Sequence, residues 1–363
     1  MGFKILSTEE LEIMQGKKTK EKRNKNMTKL GKGLDVGTSF VVLASEQEEG
    51  SVEYKDFRDA FYVIKPATPI ATKMIEKGLA GKIFVKDADG SFVILGKDAI
   101  EKAVERNDSA KRPMYKGVVS SKEKDARRVL SYILKEVAGK PSEPGEKIVF
   151  CIPAQPIDQE DDEFDVGYHE DVVKKVLTDI GYAPKAINEA EALCYSELEK
   201  DDYTGVCLSW GAGMVNVCVM LNGEPVLTFS TTKSGDWIDR MSAVATGQTD
   251  SVVQAEKEGG EFTIGKPNEN QVLAAVSSYY ERLIDYTTKQ LAAALSDHKD
   301  LPKFKDPLPV VVGGGTTQAK GFVRMFAQKL EDNEFPIPLK EVRHASDPLH
   351  AVARGCLIAA QIM

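Results

Sequence analysis

No uninterrupted apolar run of about 18 residues occurs in the 363-residue sequence, so a membrane-spanning helix is not expected. The nearest approach, residues 206–221, is broken by Ser209, Gly211, Gly213 and Asn216. Cysteine is sparse. The five (Cys151, Cys194, Cys207, Cys218 and Cys356) never show a Cys-x-x-Cys spacing, and the four histidines do not cluster with them. Neither a zinc site nor a disulfide framework is expected, and a reducing cytoplasm suits the chain. Two nucleotide-binding signatures are missing as well. No Gly-x-x-x-x-Gly-Lys-Ser/Thr run occurs, which excludes a P-loop. No Gly-x-Gly-x-x-Gly follows a strand, so a dinucleotide fold has no support.

What is present is an ordinary globular composition, 42% hydrophobic and 29% charged, long enough for two domains or one large one. The net charge of −8 is unevenly spread. Residues 1–32 hold nine Lys/Arg against four Asp/Glu, while the remainder holds 39 against 52 and nets −13. An acidic body argues against nucleic-acid binding, which needs a basic face. The basic head, residues 1–30, pairs a loosely helical apolar set (Phe3, Ile5, Leu6, Leu11, Ile13, Met14) with a run of lysines from Lys17 to Lys25. It reads either as a solvated tail or as an amphipathic anchor for an anionic membrane or an acidic partner. Gly2 does not make it a myristoylation site, because the hydroxyl of Ser7 comes one place late. Lys4, Glu9, Glu10 and Glu12 interrupt any secretory apolar region. Residues 158–165 carry six acids in eight, which suits an exposed loop or a hard-cation site.

From residue 33 the pattern alternates strands with helices, which gives an α/β class. Residues 33–45 read as a strand, a glycine turn and a returning strand. Helical periodicity covers 127–137, a buried strand covers 147–152 and ends at Pro153, and a helix over 168–180 stops at Gly181. A second hairpin spans 205–221 around Trp210-Gly211-Ala212-Gly213-Met214. A last buried strand, 308–312, runs into Gly313-Gly314-Gly315-Thr316-Thr317 and then a helix. Glycine lets a backbone amide approach a phosphate with no side chain in the way. Asp35, beside the turn Gly37-Thr38-Ser39, fits a ligand to hydrated Mg2+. Gly313–Gly315, opening a helix, would aim a helix N-terminus at an anion.

The order of these pieces resembles the actin-like ATPase superfamily, most closely its prokaryotic filament-forming members of the MamK and MreB type. Leu34-Asp35-Val36-Gly37-Thr38-Ser39 is similar to the first phosphate loop, and Ile187-Asn188-Glu189-Ala190-Glu191-Ala192 to the first connecting helix. Ser209 to Asn216 takes the place of the second phosphate loop, and Ser234-Gly235-Asp236-Trp237-Ile238-Asp239 resembles the Gly-Gly-Asp-x-x-Asp element. Val312 to Thr317 resembles the adenosine loop, and Asp347-Pro348 with Ala351 to Gly355 the closing helix. Pro113 to Ser120 resembles the Pro-x-x-x-Gly-Val segment of MreB-like proteins.

This resemblance implies a two-lobed actin-like fold, each lobe with a mixed five-stranded sheet flanked by helices and a nucleotide between them. The first lobe would take residues 31–58, 116–186 and 347–363, with 59–115 as its small subdomain. The second would take 187–234 and 303–346, with 235–302 as its small subdomain, all behind the extension 1–30. ATP or ADP with Mg2+ is the implied cofactor. Gly37, Thr38, Ser39, Gly211, Ala212, Gly213, Gly235, Lys257, Gly313, Gly314, Gly315 and Thr316 are the implied nucleotide contacts, with Asp35 on the metal. The implied partner is the protein itself, in a head-to-tail cytoplasmic filament that the head could bring to a membrane. A non-polymerising chaperone-like regulator and a small-molecule kinase are the alternatives. The sequence runs only to the end of the closing helix, so a chaperone's substrate-binding domain is not expected.

The second phosphate loop departs from the family pattern Asp-x-Gly-x-Gly-Thr-Thr-Asp. Ser209, Met214, Val215 and Asn216 replace both acids and both threonines. Slow hydrolysis is therefore expected, since about 1.4 kcal/mol of barrier already costs tenfold. Relatives take the residue that positions the attacking water from the helix after the Cys151–Ala154 strand. Counting back from Gly181 places His169 or Glu170 there, although an acid near a helix start also simply suits the dipole. Trp210 and Trp237 suggest stacking on a base, but Trp210 sits in the turn where relatives have an apolar residue, so packing is expected of it instead.

Overall fold

The computed structural model describes residues 31–47, 50–159, 164–299, 302, 304 and 306–363; the basic head 1–30 and residues 160–163 of the acidic segment lie outside the described residues. Two five-stranded mixed sheets organise the chain. The first contains β1 (Lys32–Val36), β2 (Phe40–Glu46), β3 (Val52–Arg58), β9 (Lys147–Ile152) and β10 (Ala183–Asn188), in the order β10-β9-β1-β2-β3. The second contains β11 (Gly205–Trp210), β12 (Val215–Leu221), β13 (Glu224–Thr231), β14 (Leu308–Gly313) and β15 (Leu339–His344), in the order β13-β12-β11-β14-β15. In each sheet three successive strands form an antiparallel meander, a fourth joins its first strand in parallel, and a fifth pairs in parallel with the fourth. The two halves thus repeat one topology. In both, a glycine turn links the first strand to the second.

Between β3 and β9 lie a small sheet and a hairpin. The sheet has β4 (Phe61–Ile64), β5 (Phe84–Lys86) and β6 (Phe92–Leu95) in the order β4-β6-β5, and the hairpin is β7 (Met114–Tyr115) with β8 (Val118–Val119). Helices α1 (Pro69–Gly78) and α2 (Lys97–Glu105) accompany them. Helices α3 (Ala126–Ala138) and α4 (Val166–Ile180) pack Leu130, Ile133, Val173 and Leu177 with Leu34 and Phe150 of the first sheet. Asp165, the last acid of the acidic segment, caps α4 by accepting from Tyr168 N at 2.8 Å. Gly181 ends α4 at a φ of 111°, a conformation glycine adopts without a steric cost. Four more helices accompany the second sheet: α6 (Gly235–Thr246), α7 (Asp250–Gly259), α8 (Gln271–Asp297) and α9 (Phe322–Asp332). Covered on both faces, β11 and β14 are buried along their whole length and read as apolar runs.

Two helices fill the space between the sheets, α5 (Glu189–Glu197) and α10 (Ala351–Ile362). Asn188 starts α5 by accepting from Ala190 N and Glu191 N. Cys194 of α5 and Cys356 of α10 share a core cluster with Val149 of the first sheet and Val311 of the second. The helices meet backbone to backbone: a Cβ on Gly355 would stand 1.7 Å from the Ala192 carbonyl oxygen. Likewise a Cβ on Gly33 of β1 would stand 2.1 Å from the carbonyl oxygen of Ala353. Gly355→Ala is therefore expected to destabilise the fold by about 3 kcal/mol, since neither backbone can yield cheaply. Gly259→Ala, whose Cβ would meet open space, should stay within about 1 kcal/mol of the native chain. Denaturant unfolding of the two variants measures the contrast; equal midpoints would contradict so close a crossing.

Candidate functional site

The glycine turns of the two hairpins face each other across one cleft of about 600 Å³. Its walls include Gly37, Thr38 and Ser39 from the first turn and Gly211, Ala212 and Gly213 from the second. Where the turns touch there is no space for a side chain. A Cβ on Gly213 would lie 2.4 Å from Thr38 Oγ1 and 2.8 Å from Gly117 N, which itself donates to Thr38 Oγ1 at 2.9 Å. A third segment, Gly314–Thr316, closes the floor. Gly314 has a φ of 92°, and a Cβ there would be 2.4 Å from the Trp210 carbonyl oxygen, so the position requires glycine. The Gly211 carbonyl gathers these pieces, accepting from Ser234 Oγ at 2.5 Å and Thr316 Oγ1 at 2.8 Å. Gly235 begins α6 beside them, and the N–H groups of Gly235 and Asp236 donate to the Gly211 and Ala212 carbonyls at 3.3 and 2.8 Å, tying the helix start to the second turn.

Two half-buried carboxylates face this floor. Asp35, near the end of β1, accepts from the Cys151 thiol at 3.1 Å. Burial raises its pKa to about 6, against the lowering effects of the thiol and of His350. Glu189, the first residue of α5, accepts from Ser209 Oγ at 2.7 Å and Asn216 Nδ2 at 2.8 Å. Burial, reinforced by the charge of Asp35, raises Glu189 to about 8, while the Ser209 hydrogen bond opposes the shift. Two acids that resist ionisation beside a glycine-lined cradle fit a site for a divalent cation with an anionic ligand. Among the described residues no group of three or more His, Cys, Asp or Glu could hold a metal ion. The remaining ligands would come from water and the bound anion, a shell that suits Mg2+.

Ion pairs span the cleft. Arg112 Nη1 donates to both carboxylate oxygens of Asp236, at 3.0 and 2.9 Å, joining the segment before β7 to the first turn of α6. Arg58, at the end of β3, donates to Ser39 Oγ and to Glu258 of α7, each at 2.7 Å. Beside Arg112 lies Asp59, buried, its carboxyl held well above the usual range by desolvation against the pull of Arg112.

Residues 30–360 match the family described as Volactin. The chain belongs to that family. Among solved structures, the MamK double helical filament matches this Volactin-family chain with a TM-score of 0.68 at 19% identity, covering 92% of this chain and 98% of that one. MreB5 of Spiroplasma citri bound to AMPPNP gives 0.61 at 14% identity, with 91% and 95% covered. The ethanolamine utilization protein EutJ from Carboxydothermus hydrogenoformans gives 0.50 at 15% identity, with 91% and 89% covered. These likenesses establish the two-lobed actin-like fold that the motif order implied. The chain has no match among curated proteins.

Most of the nucleotide contacts implied for the Volactin-family chain line the one cleft, including Gly235, Lys257, Gly315 and Thr316, together with Asp35. Lys257 is engaged by Asp239, at 2.7 Å. Three expectations need correction. Gly313 does not line the cleft; it ends β14 and faces Leu193. The glycine run does not open a long helix either, because a short 3₁₀ turn over Gly315–Gln318 intervenes and α9 starts only at Phe322. His169 and Glu170 are also absent from the cleft walls. His169 is fully buried on α4 with Val172, Val173 and Val176, and burial alone lowers its pKa to about 4. Glu170, one residue on, is partly buried on the same helix. Sequence reasoning missed Glu189 as a site residue, since an acid at a helix start is ordinary and nothing in the chain order joins 189 to 35 and 209. Trp210 is core, edge-on to Phe322 at 5.0 Å. Arg112→Ala should weaken interlobe coupling by about 0.5–1 kcal/mol. Distances between spin labels introduced at Lys65 and Gly247 should lengthen and broaden; an unchanged distribution would mean that the pair does not hold the cleft shut.

Proposed function

We propose that this Volactin-family protein binds ATP or ADP with Mg2+ in the interlobe cleft and that closed subunits stack head to tail into filaments, with slow ATP hydrolysis. The convergence of three glycine segments on one cleft with two half-buried carboxylates carries this reading. Neighbours of the same fold support it: one is a double helical filament, and others are bound to AMPPNP or ADP. Amides of the turns would cradle the phosphates, and Asp35 would help hold Mg2+. Bound Mg2+ would neutralise charge gathering on the transferred phosphoryl group. Glu189, in place of His169 or Glu170, orients the attacking water. Contacts between like subunits that repeat without closing give filaments, and cleft closure tunes them. Among the described residues no helix is long and apolar enough to cross a membrane. A cytoplasmic filament brought to an anionic membrane or acidic partner by residues 1–30 completes the reading.

Addition of ATP and Mg2+ should raise light scattering and give filaments in negative-stain images. Monomers in every nucleotide state at high concentration would remove the polymer from this account. Glu189→Gln should slow phosphate release by about 100-fold, a larger loss than the roughly tenfold weakening of Mg2+-dependent ATP affinity expected at pH 8.

The two raised carboxylates also set a pH dependence. Both lie above their unfolded values, so without ligand they cost stability as pH rises towards and through 6 for Asp35 and 8 for Glu189. Cation binding needs them ionised and releases their protons. Mg2+-dependent affinity for a fluorescent ATP analogue should therefore strengthen by about tenfold between pH 6 and pH 8. Equal affinity at the two pH values would contradict a role for this pair in holding the metal.

A further inference from the structure

We infer that Ser209 and Asn216 are positioning residues that clamp the Glu189 carboxylate, so that two of the four departures from the actin-like superfamily's second phosphate loop are a working replacement. The inference rests on the proposal that the cleft hydrolyses ATP. Ser209 and Asn216 are register partners on β11 and β12, and directly opposed residues of an antiparallel pair share one face of the sheet. Both are buried, at 2% and 0% exposure. Ser209 Oγ donates to one oxygen of Glu189 and Asn216 Nδ2 to the other. The orientation of the amide is fixed independently, because Asn216 Oδ1 accepts from Ala154 N at 2.9 Å and so leaves the amino end towards Glu189. One hydrogen bond on each oxygen sets both the position and the plane of the carboxylate. Lone pairs remain on each oxygen for a water in the cleft.

The chemistry of the replacement explains why both positions are neutral. A carboxylate at 209 or 216 would repel the ionised form of Glu189 and hold it protonated to still higher pH, at the distance where Ser209 and Asn216 now donate. Donors beside a partly desolvated carboxylate orient it, and an acceptor left without them is costly. A single donor would fix one oxygen and leave the plane free to rotate. With Asn216 also bound to Ala154, the clamp reaches the strand end of the other lobe, so Glu189 is held relative to both halves of the cleft.

The test is single-turnover phosphate release, ATP affinity and melting temperature, measured on the full chain. Ser209→Ala should slow hydrolysis about tenfold with affinity within about twofold and melting nearly unchanged. Ser209→Thr, which keeps the hydroxyl, should recover the rate. Asn216→Asp, of the same size but without the donor, should slow hydrolysis about 100-fold or more. Ser209→Ala acting at the native rate overturns the inference, and so does Ser209→Thr failing to recover a lost rate. Losses of affinity and rate in equal proportion in Ser209→Ala would also overturn it, by showing a merely structural tie. A native chain that binds no ATP or releases no phosphate refutes the functional reading and this inference with it. An active native chain matched by Ser209→Ala refutes this inference alone.

Discussion

Everything about the cleft depends on α5 and α10 meeting with no side chains between their backbones. Gly355 lies against the Ala192 carbonyl and Gly33 against the Ala353 carbonyl. The surrounding positions are kept small by buried Ala190, Ala192, Ala351 and Ala353. Small residues let helix axes and strands approach more closely than Leu or Ile would allow. That approach fixes the separation of the two sheets, and with it the facing of the two glycine turns. The same joint delivers chemistry, because the N-terminal ends of both helices open at the cleft. Glu189 begins α5, and His350 precedes the first turn of α10.

A joint this tight would give a rigid cleft if the rest of the interlobe contact were apolar, but much of it is ionic. Arg112 with Asp236 and Arg58 with Glu258 are partly exposed, and pairs of that kind contribute little each. The lobes are thus firmly joined at the base and weakly latched at the mouth, an arrangement in which a ligand bridging both walls can shift the balance. Among the described residues that line the cleft, each cation already has an acidic neighbour, although Lys320 meets Glu261 only at 4.0 Å. Lys257 is engaged by Asp239, and His350 sits between Asp347 and Asp56 while stacked on Tyr54 at 4.3 Å. Burial draws the His350 pKa down, yet the two carboxylates outweigh it and raise it. An anionic ligand entering such a site needs amide dipoles and an accompanying metal ion more than lysines.

The sequence made legible those features whose physical cause is local. Both hairpins, the helix over 127–137 and the strand over 147–152 come from periodicity and glycine placement, and the structure puts each within a residue or two. The glycine turns were legible for the same reason, since a backbone that leaves no space for a side chain must be written as glycine. The strands of the small sheet, three or four residues each, carry too little pattern to be seen. Glu189 was hidden for a different reason: its role comes from strands 20 and 27 residues further on, which bring Ser209 and Asn216 to it. His169 and Glu170 were misplaced because counting along a helix fixes distance along its axis but not which way it turns. On α4 the turn carries His169 into the core.

The repeated topology sharpens what the second half of the chain has done. Asp35 on β1 and Ser209 on β11 hold equivalent places, each two residues before the glycine of its turn, and their cross-strand partners are Val42 and Asn216. In the first lobe the carboxylate stands on the strand. In the second the strand is neutral, and the carboxylate stands on the helix that faces it. Carboxylates at 35, 189 and 209 together would place three acids in one desolvated space, where even two are pushed to about 6 and 8. Exchanging one of the three for a donor lowers that repulsion and turns a competitor for the metal into a support for its neighbour. The loss of an acid at 209 therefore does not by itself mean a disabled site. Its meaning depends on whether hydrolysis is limited by charge on the metal or by the orientation of Glu189, and the clamp of Ser209 and Asn216 favours the second.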